Sequence, residues 1–262
     1  TDTLFPYTTL FRSFCFDGIL VMVDILYVCE NGLIINEVKS STSVKEVYID
    51  DASIQYYVIS SLGYKVSGVN IIHIDSTYVR GEELELEKLF HTEDVTEQVK
   101  QKQAQIPQIL NKFDEILSKD VEPDVDIGPH CSDPYNCDAW EYCWCDQRGI
   151  PEYSVFNISR LRSDKKFELY KSGVVKFEDI KDLDKFKASQ QIQIRSELSK
   201  EQIIDKEAIK EFLDTLSYPL YHLDFETFQQ AVPEFVGLSP YEQIPFQFSI
   251  HKDDGNGNLE HF

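Results

Sequence analysis

The chain has 262 residues, of which 42% are hydrophobic and 13% aromatic. This composition is typical of globular protein with one large or two small domains, and it excludes a disordered chain. The net charge of −21 at pH 7 argues against tight, nonspecific duplex binding, because a protein that grips phosphates by charge needs a basic face. No apolar run reaches the ~18 residues of a membrane span, so we expect no membrane partner.

The N-terminal residues 4–13, LFPYTTLFRS, resemble the conceptual translation of a sequencing-library adapter. A genuine apolar segment or signal peptide is the alternative, but a basic n-region is missing and polar residues interrupt the apolar run. We therefore leave residues 1–13 out of the predicted fold. We also expect the natural protein to extend upstream of this point.

The segment 16–42 contains two apolar runs joined by Asn31-Gly32, a strong signal for a two-residue β-hairpin. A turn at this pair places Glu30 opposite Leu33 and Asp24 opposite Lys39. Glu37 then lies on the same face as Lys39. The first run, residues 19–28, is apolar on both sides of the pleat apart from Asp24, which is typical of a strand covered on both faces.

Two carboxylates and an ammonium in a buried sheet need partners, because an isolated buried charge is neutralised instead. A divalent cation between Asp24 and Glu37 is one solution. Lys39 would then hold or activate a water, or stabilise charge on a phosphate. A structural ion pair of Lys39 with one carboxylate is the alternative, and the geometry of the hairpin does not separate the two.

The next elements are a predicted helix over 48–62 and a third strand over 66–74. The order strand, turn, strand, helix, strand, with Asp24 followed by Glu37-Val-Lys39, resembles the core of the PD-(D/E)XK nucleases. The RecB-type branch, which includes CRISPR-associated exonucleases with an iron–sulfur cluster, is the most similar.

This resemblance implies a catalytic site in which Asp24 and Glu37 hold Mg²⁺ or Mn²⁺ and Lys39 assists the water. Gln55 matches the helical Gln of the family and would orient the site. The chain departs from the family at Ile59, where a Tyr is usual.

Residues 81–119 are charged and predicted to be helical. Asp94 and Glu97 have capping-box spacing, and an apolar stripe broken at Pro107 predicts helices packed on the sheet. The stripe comprises Val95, Val99, Ile109, Leu110, Phe113, Ile116 and Leu117.

The chain has six cysteines and no export signal, so we expect a reducing, cytoplasmic environment without disulfides. Cys15 and Cys29 are interpreted as ordinary strand residues. Cys131, Cys137 and Cys143 recur at a spacing of six within a Pro- and Asp-rich segment, and thiolates bind soft metals and iron–sulfur clusters.

In the resembling nucleases, three such cysteines and one upstream cysteine hold a 4Fe-4S cluster. The first gap is longer here, and the upstream cysteine would lie before the present chain. Cys145 or His130 could substitute as a ligand, for a cluster or for Zn²⁺. Buried free cysteines are the alternative.

Residues 151–216 are predicted to form a helical connector. It contains a helix that ends at Ser172-Gly173, a short second helix, and an amphipathic helix over 207–216.

The C-terminal segment begins with a predicted strand, 217–228, on which Asp224 and Glu226 share one face. A second strand, 243–251, and a turn at 254–257 toward a third strand follow. A D-x-E strand opening such a meander resembles the DnaQ-like 3′–5′ exonucleases of the ribonuclease H fold. The resemblance implies that Asp224 and Glu226 bind the catalytic metal ions.

The whole layout of residues 14–262 resembles a bacterial family of unknown function that combines these parts. The predicted fold is α/β, with four segments after the adapter. They are a PD-(D/E)XK-like mixed-sheet core truncated at its N-terminus (14–130), a cysteine segment (131–150), a helical connector (151–216) and the first strands of a C-terminally truncated ribonuclease H-like domain (217–262).

The predicted function is that of a nuclease fragment, itself inactive, that acts on nucleic acid, with DNA favoured over RNA. The alternative is a noncatalytic cysteine–metal module of a multidomain nucleic-acid or defence protein.

Overall fold

The computed structural model describes residues 7–262, which divide into two compact units. One unit holds the chain up to Val121 together with Pro219–Phe262, and the other holds Glu122–Tyr218. This division differs from the predicted segments in two ways. The cysteine segment and the helical connector share one unit, and the C-terminal strands share a unit with the N-terminal core.

A five-stranded mixed sheet forms the centre of the first unit. Its strand order is β1-β2-β3-β4-β5. The strands β3 and β4 are parallel, while the other neighbours are antiparallel. The helix α1, Glu46–Ser61, provides the crossover that a parallel pair requires. The prediction of a mixed α/β fold is therefore confirmed. The strands are β1 Tyr7–Phe16, β2 Ile19–Cys29, β3 Gly32–Lys39, β4 Val66–Ile74 and β5 Phe90–Asp94.

The edge strand β1 includes part of the segment that was left out of the predicted fold. Residues 1–6 lie outside the described residues, but residues 7–13 continue into β1 and pair antiparallel with β2. The adapter-like residues 7–13 therefore contribute backbone hydrogen bonds to the sheet, whatever their origin.

The β2–β3 hairpin forms where predicted, but in a different register. Cys29 pairs with Gly32 and Val28 with Leu33, so the two loop residues are Glu30 and Asn31. The predicted pairing of Glu30 with Leu33 is wrong by two residues. The ladder between β2 and β3 ends at Ile25 opposite Asn36, so the predicted pair of Asp24 with Lys39 does not form. Because the error is an even number, Glu37 and Lys39 remain on one face of β3.

Gly32 explains why the turn closes one residue earlier. It has φ +133°, and a Cβ there would lie 2.3 Å from the carbonyl oxygen of Lys65. Only glycine accepts this conformation and this close approach. The neighbouring amide of Leu33 donates to the same carbonyl at 2.8 Å. The glycine therefore allows the loop after α1 to pack against the start of β3.

The sheet buries one face, against α1 and α3. The core contains Val23, Leu26 and Ile35 from β2 and β3, and Ala52 and Ile59 from α1. On the opposite face, Leu20 is 63% exposed and Met22 67% exposed. The prediction that residues 19–28 are covered on both faces is therefore wrong for the first half of β2.

Three helices follow β4 in the charged stretch 81–119: α2 Leu86–Leu89, α3 Thr96–Lys102 and α4 Ile106–Leu117. The strand β5 between them was not predicted. Asp94 accepts from the Thr96 amide at 2.8 Å, but the N-cap of α3 is Val95 and it has no side-chain capping bond, so the predicted capping box of Asp94 and Glu97 does not form. The N-terminal part of the apolar stripe is buried at Val95 and Val99, whereas on α4 Phe113 is 53% and Leu117 81% exposed. The part of the stripe on α4 is therefore not packed on the sheet, in contrast to the prediction.

The C-terminal segment of this unit forms an antiparallel three-stranded sheet, as predicted. Its strands are β6 Leu220–Phe228, β7 Ile244–Asp253 and β8 Leu259–His261. The loop between β6 and β7 packs on the N-terminal core, where Tyr241 joins a cluster with Ile74, Tyr78 and Leu89. The side chain of Arg80 donates to the carbonyl oxygen of Pro233 at 2.7 Å.

The second unit is mostly helical, with α5 Ser163–Lys171, α6 Ala188–Ser199 and α7 Lys206–Asp214. Gly173, at φ +81°, ends α5 at the predicted break. One of its two apolar clusters surrounds Trp144, which contacts the rings of Phe156 and Phe167. Among the described residues, the helices lack the combination of length and apolar character that crossing a bilayer requires.

Candidate functional site

The candidate site lies where β3 meets α1. Glu37 and Lys39 are two residues apart on β3, so their side chains leave the same face of the sheet, the face that also buries Ile35. Asp51 and Gln55 are four residues apart on α1 and therefore share one side of the helix. The helix packs on that face, so four polar side chains from two elements converge.

Hydrogen bonds join these four side chains into one network. The Lys39 ammonium donates to Glu37 Oε1 at 2.6 Å and to Asp51 Oδ2 at 2.8 Å. The Gln55 amide donates to Glu37 Oε2 at 2.8 Å and to Asp51 Oδ1 at 3.4 Å. Each carboxylate thus accepts from both the ammonium and the amide.

Burial and charge act in opposite directions on this network. Burial raises the pKa of Glu37 above its ordinary value of 4.5, and the nearby Asp51 carboxylate adds to the rise, while hydrogen bonds from Gln55 and Lys39 partly oppose it. Burial alone would lower the pKa of Lys39, but hydrogen bonds to Asp51 and Glu37 outweigh it and raise that pKa. The two carboxylates therefore favour the ammonium form of Lys39.

Gln55 has an unused acceptor. Its side chain is buried, and its Oε1 atom has no hydrogen-bond partner among the described residues. An unsatisfied buried acceptor costs roughly 1–3 kcal/mol, so this atom favours the arrival of a donor or a cation. Carboxylate, amide and water oxygens are the ligands that Mg²⁺ and Mn²⁺ prefer.

Asp24 lies beside this network and interrupts β2. Val23 and Leu26 both enter the same core, although side chains three apart leave opposite faces of a regular strand. The alternation therefore slips at Asp24–Ile25, and Asp24 Oδ2 accepts from the Val38 backbone amide at 2.9 Å. Its carboxylate is held against the backbone between Glu37 and Lys39.

The donor set fits a hard divalent cation in its chemistry, since the network supplies carboxylate and amide oxygens. The Lys39 ammonium occupies the position between Glu37 and Asp51. Within the described residues, Asp24, Glu37 and Asp51 do not form a group whose three ligand atoms all lie within 4.8 Å of one another. Of the predicted pair, Glu37 accepts from Lys39 and Gln55, whereas Asp24 accepts from the Val38 backbone amide.

Asp51 was missed by the sequence analysis. The signal that could have found it is its position one helical turn before Gln55.

The other predicted carboxylates, Asp224 and Glu226, lie on β6 and line a small cavity of about 120 Å³ with Gln247 and Ser249. Asp224 pairs with Ser249, and Glu226 pairs with Gln247 next to a register shift. Both carboxylates are exposed, and they share one face of the three-stranded sheet, as predicted.

The predicted cysteine ligands lie in the second unit. Cys131, Cys137, Cys143 and His130 all line one cavity of about 510 Å³, while Cys145 packs in the adjacent apolar cluster. All six cysteines of the chain are free thiols.

Within the part of the chain that the structure describes, no three cysteine sulfur atoms lie within 4.8 Å of one another, although ligands of one Zn²⁺ bound at ~2.3 Å would be less than ~4 Å apart. The thiols therefore share a cavity without the geometry of a closed zinc site. In an iron–sulfur cluster, each thiolate binds a different iron, so such a cluster accepts more widely spaced sulfur atoms.

The fold defines a mixed α/β protein with a crossover helix that carries polar residues over its sheet. Residues 221–262, which hold β6, β7 and β8 with Asp224 and Glu226, match the model of a family described as a domain of unknown function (DUF2779). No match to the chain was found among curated proteins or among solved structures.

Proposed function

We propose that the chain is part of a metal-dependent nuclease that hydrolyses phosphodiester bonds, with a RecB-like PD-(D/E)XK core. The network of Glu37, Lys39, Asp51 and Gln55 is the observation that carries this proposal. It joins the E-x-K strand to the helical Gln across a parallel β3–α1–β4 unit. From the sequence, the resemblance predicted that Glu37 binds the metal, Lys39 assists the water and Gln55 orients the site.

The residues at the site have distinct tasks under this proposal. Glu37, Asp24 and Asp51 would hold Mg²⁺ or Mn²⁺ through oxygen atoms. When bound, the cation supplies Lewis-acid polarisation of the phosphoryl group and a more acidic water. Lys39 is already charged, so it orients the attacking water or stabilises the phosphate oxygens. Gln55 fixes the carboxylates through its amide group.

The second carboxylate pair extends the proposal. Asp224 and Glu226 lie on one face of an antiparallel sheet, in keeping with the D-x-E strand of DnaQ-like exonucleases. Two carboxylates on one face suit a paired-metal site for an in-line displacement. The net charge of −21 favours single-stranded DNA held by metal ions and local contacts over tight binding of a duplex backbone.

The decisive experiment measures Mg²⁺-dependent cleavage of single-stranded DNA by the full-length protein. We expect Lys39→Ala to reduce cleavage about 100-fold or more, since a positioned charge at a phosphoryl centre contributes on this scale. Lys112→Ala is the matched control, because Lys112 is exposed and makes no ion pair among the described residues. Lys39→Met repeats the test with the aliphatic stem retained.

Equal cleavage by Lys39→Ala and Lys112→Ala would contradict the proposed site. Circular dichroism of both variants checks that the fold is retained.

The cysteine cavity favours a second candidate function, a noncatalytic metal-binding module. Three cysteines and His130 face one cavity, and metal bound there would need no reaction at β3. Cleavage that survives Lys39→Ala, together with metal lost on substitution of Cys137, would support this function instead.

A further inference from the structure

A second cluster of potential ligands lies on β4 and β5 and plays no part in the proposed reaction. His73 of β4 pairs directly with His91 of β5, and Glu93 pairs with Ile71. The three side chains therefore leave the same face of the sheet. One ligand atom from each lies within 4.8 Å of the other two. Among the described residues, this is the one group of three His, Cys, Asp or Glu side chains whose ligand atoms all lie within that distance of one another.

The hydrogen bonding of His73 prepares its ring for a metal. His73 Nδ1 lies 3.0 Å from the carbonyl oxygen of Ile74. A carbonyl accepts but does not donate, so Nδ1 carries the proton and Nε2 of the neutral ring keeps its lone pair. Histidine ligands of metals are oriented by this kind of bond from the other ring nitrogen.

The separation of the partner atoms points the same way. His73 Nε2 lies 3.9 Å from Glu93 Oε2, which is too far for a hydrogen bond. Tetrahedral ligands of one ion at ~2.1 Å lie ~3.4 Å apart, so these two atoms need to approach by about 0.5 Å for an ion to bind between them. His91 is exposed and its ring centroid lies 5.2 Å from that of His73, so a side-chain movement brings its ring nitrogen to the same ion.

The ligand types indicate which class of metal the cluster would bind. Two imidazoles and one carboxylate suit Zn²⁺ and similar transition metals, whereas Mg²⁺ and Ca²⁺ prefer oxygen ligands. Three protein ligands with an exposed side leave a position for water, as in open zinc sites. His73 is buried and has Lys39 as its neighbour on β3, so the cluster lies one strand from the network of Glu37 and Asp51.

We propose that His73, His91 and Glu93 bind one Zn²⁺-type transition-metal ion that links the edge strand β5 to β4. The proposal does not rest on the hydrolytic function, because it concerns different ligands and a different class of metal. Bound metal would join two neighbouring strands through three side chains and thereby stabilise the folded state.

The test is a titration of the chain with ZnSO₄, followed by two-bond ¹H–¹⁵N NMR of the histidine rings. We expect one equivalent to shift the ring-nitrogen signals of His73 and His91, and to raise the thermal midpoint. Glu93→Gln and His91→Ala should each weaken this binding about tenfold or more and remove most of the thermal shift. The residue-resolved signals separate this site from zinc bound by thiolates.

The histidine pair His251 and His261 is the internal control. Their rings stack at 4.4 Å without a third ligand in the same group. We expect the double variant His251→Ala, His261→Ala to leave the shifts of His73 and His91 unchanged. Signals of His73 and His91 that do not respond to Zn²⁺, or that respond equally in Glu93→Gln, would overturn the proposal.

Discussion

The Lys39 ammonium lies 2.8 Å from the Asp51 carboxylate, although one residue belongs to a strand and the other to the following helix. This contact makes Lys39 the bridge between two carboxylates, since it also donates to Glu37. It ties α1 to β3 at the point where the crossover helix begins to cover the sheet. The site is thus held by an ion-pair network as well as by the apolar core.

The first prediction concerns the contribution of Lys39 to stability. Lys39→Met should lower the free energy of unfolding by about 1–3 kcal/mol, because the buried Glu37 carboxylate loses its ammonium partner. The half-exposed Asp51 keeps part of its hydration, which holds the loss below that of a fully buried pair. Urea denaturation at neutral pH measures the change.

A double-mutant cycle isolates this pair. Asp51→Asn in the Lys39→Met background should cost less than it does in the wild type, because the ion pair is already lost. Lys112→Met serves as the exposed control and should change the unfolding free energy by less than about 0.5 kcal/mol. Strictly additive effects of Lys39→Met and Asp51→Asn would contradict a coupled network.

The second prediction concerns the titration of Glu37. Burial raises its pKa above 4.5, so between 4.5 and the folded-state pKa the native protein binds more protons at this site than the unfolded chain. Stability therefore falls through this site as pH rises across that window. The unfolding free energy of the wild type, relative to that of Glu37→Gln, should therefore decrease as pH rises above 4.5.

Carboxyl ¹³C NMR follows the same group directly. Lys39 and Gln55 both lower the pKa of Glu37 through hydrogen bonds, so Lys39→Met and Gln55→Leu should each raise it further. Lys112→Met should leave the titration of Glu37 where it is. A Glu37 titration that moves downward in Lys39→Met would show that the ammonium is not its partner.

Much of the N-terminal fold could be predicted because its residues signal their own structure. The predicted strand 66–74 coincides with β4, and the predicted helix 48–62 differs from α1 by two residues or fewer at each end. The face shared by Glu37 and Lys39 was also predictable, since it depends on the period of two, whereas the slip of the alternation at Asp24–Ile25 was not. The register was not, because Gly32 is required by a contact with Lys65 that lies far along the chain.

The features that were missed depend on tertiary contacts. Asp51 looks like any exposed acid at the start of a helix, and only the packing of α1 on β3 brings it to Lys39. The strand β5 has the sequence FHTED, whose polar residues give no apolar alternation, so its pairing with β4 is set by the neighbouring strand. The same lack of a local signal hid the ligand cluster that contains Glu93.

The third prediction concerns the turn at Gly32. Gly32→Ala places a Cβ 2.3 Å from the Lys65 carbonyl oxygen, which forces the hairpin and the loop after α1 apart. We expect a loss of about 2–4 kcal/mol in the unfolding free energy, from backbone strain together with this clash. Gly63→Ala is the matched control, since Gly63 also has a positive φ but nothing within 4 Å of the added Cβ.

The control should cost about 1 kcal/mol, the strain of a left-handed alanine alone. Equal losses for the two variants would mean that the contact with Lys65 contributes nothing.

The last prediction concerns the cavity lined by Cys131, Cys137 and Cys143. Their sulfur atoms do not form a three-ligand group within 4.8 Å among the described residues, and we propose that they hold an iron–sulfur cluster, in which each thiolate binds a separate iron. Anaerobic purification should therefore yield brown protein with broad visible absorbance and bound iron and sulfide. Cys137→Ser should remove most of the colour, and because Cys137 is exposed the fold of its unit should persist. Substitution of Cys15, an exposed thiol on β1, by Ser should leave the absorbance unchanged.

Colourless protein with one zinc per chain, released by Cys137→Ser, would show a zinc site and no cluster. Colourless protein without metal would identify these residues as free thiols.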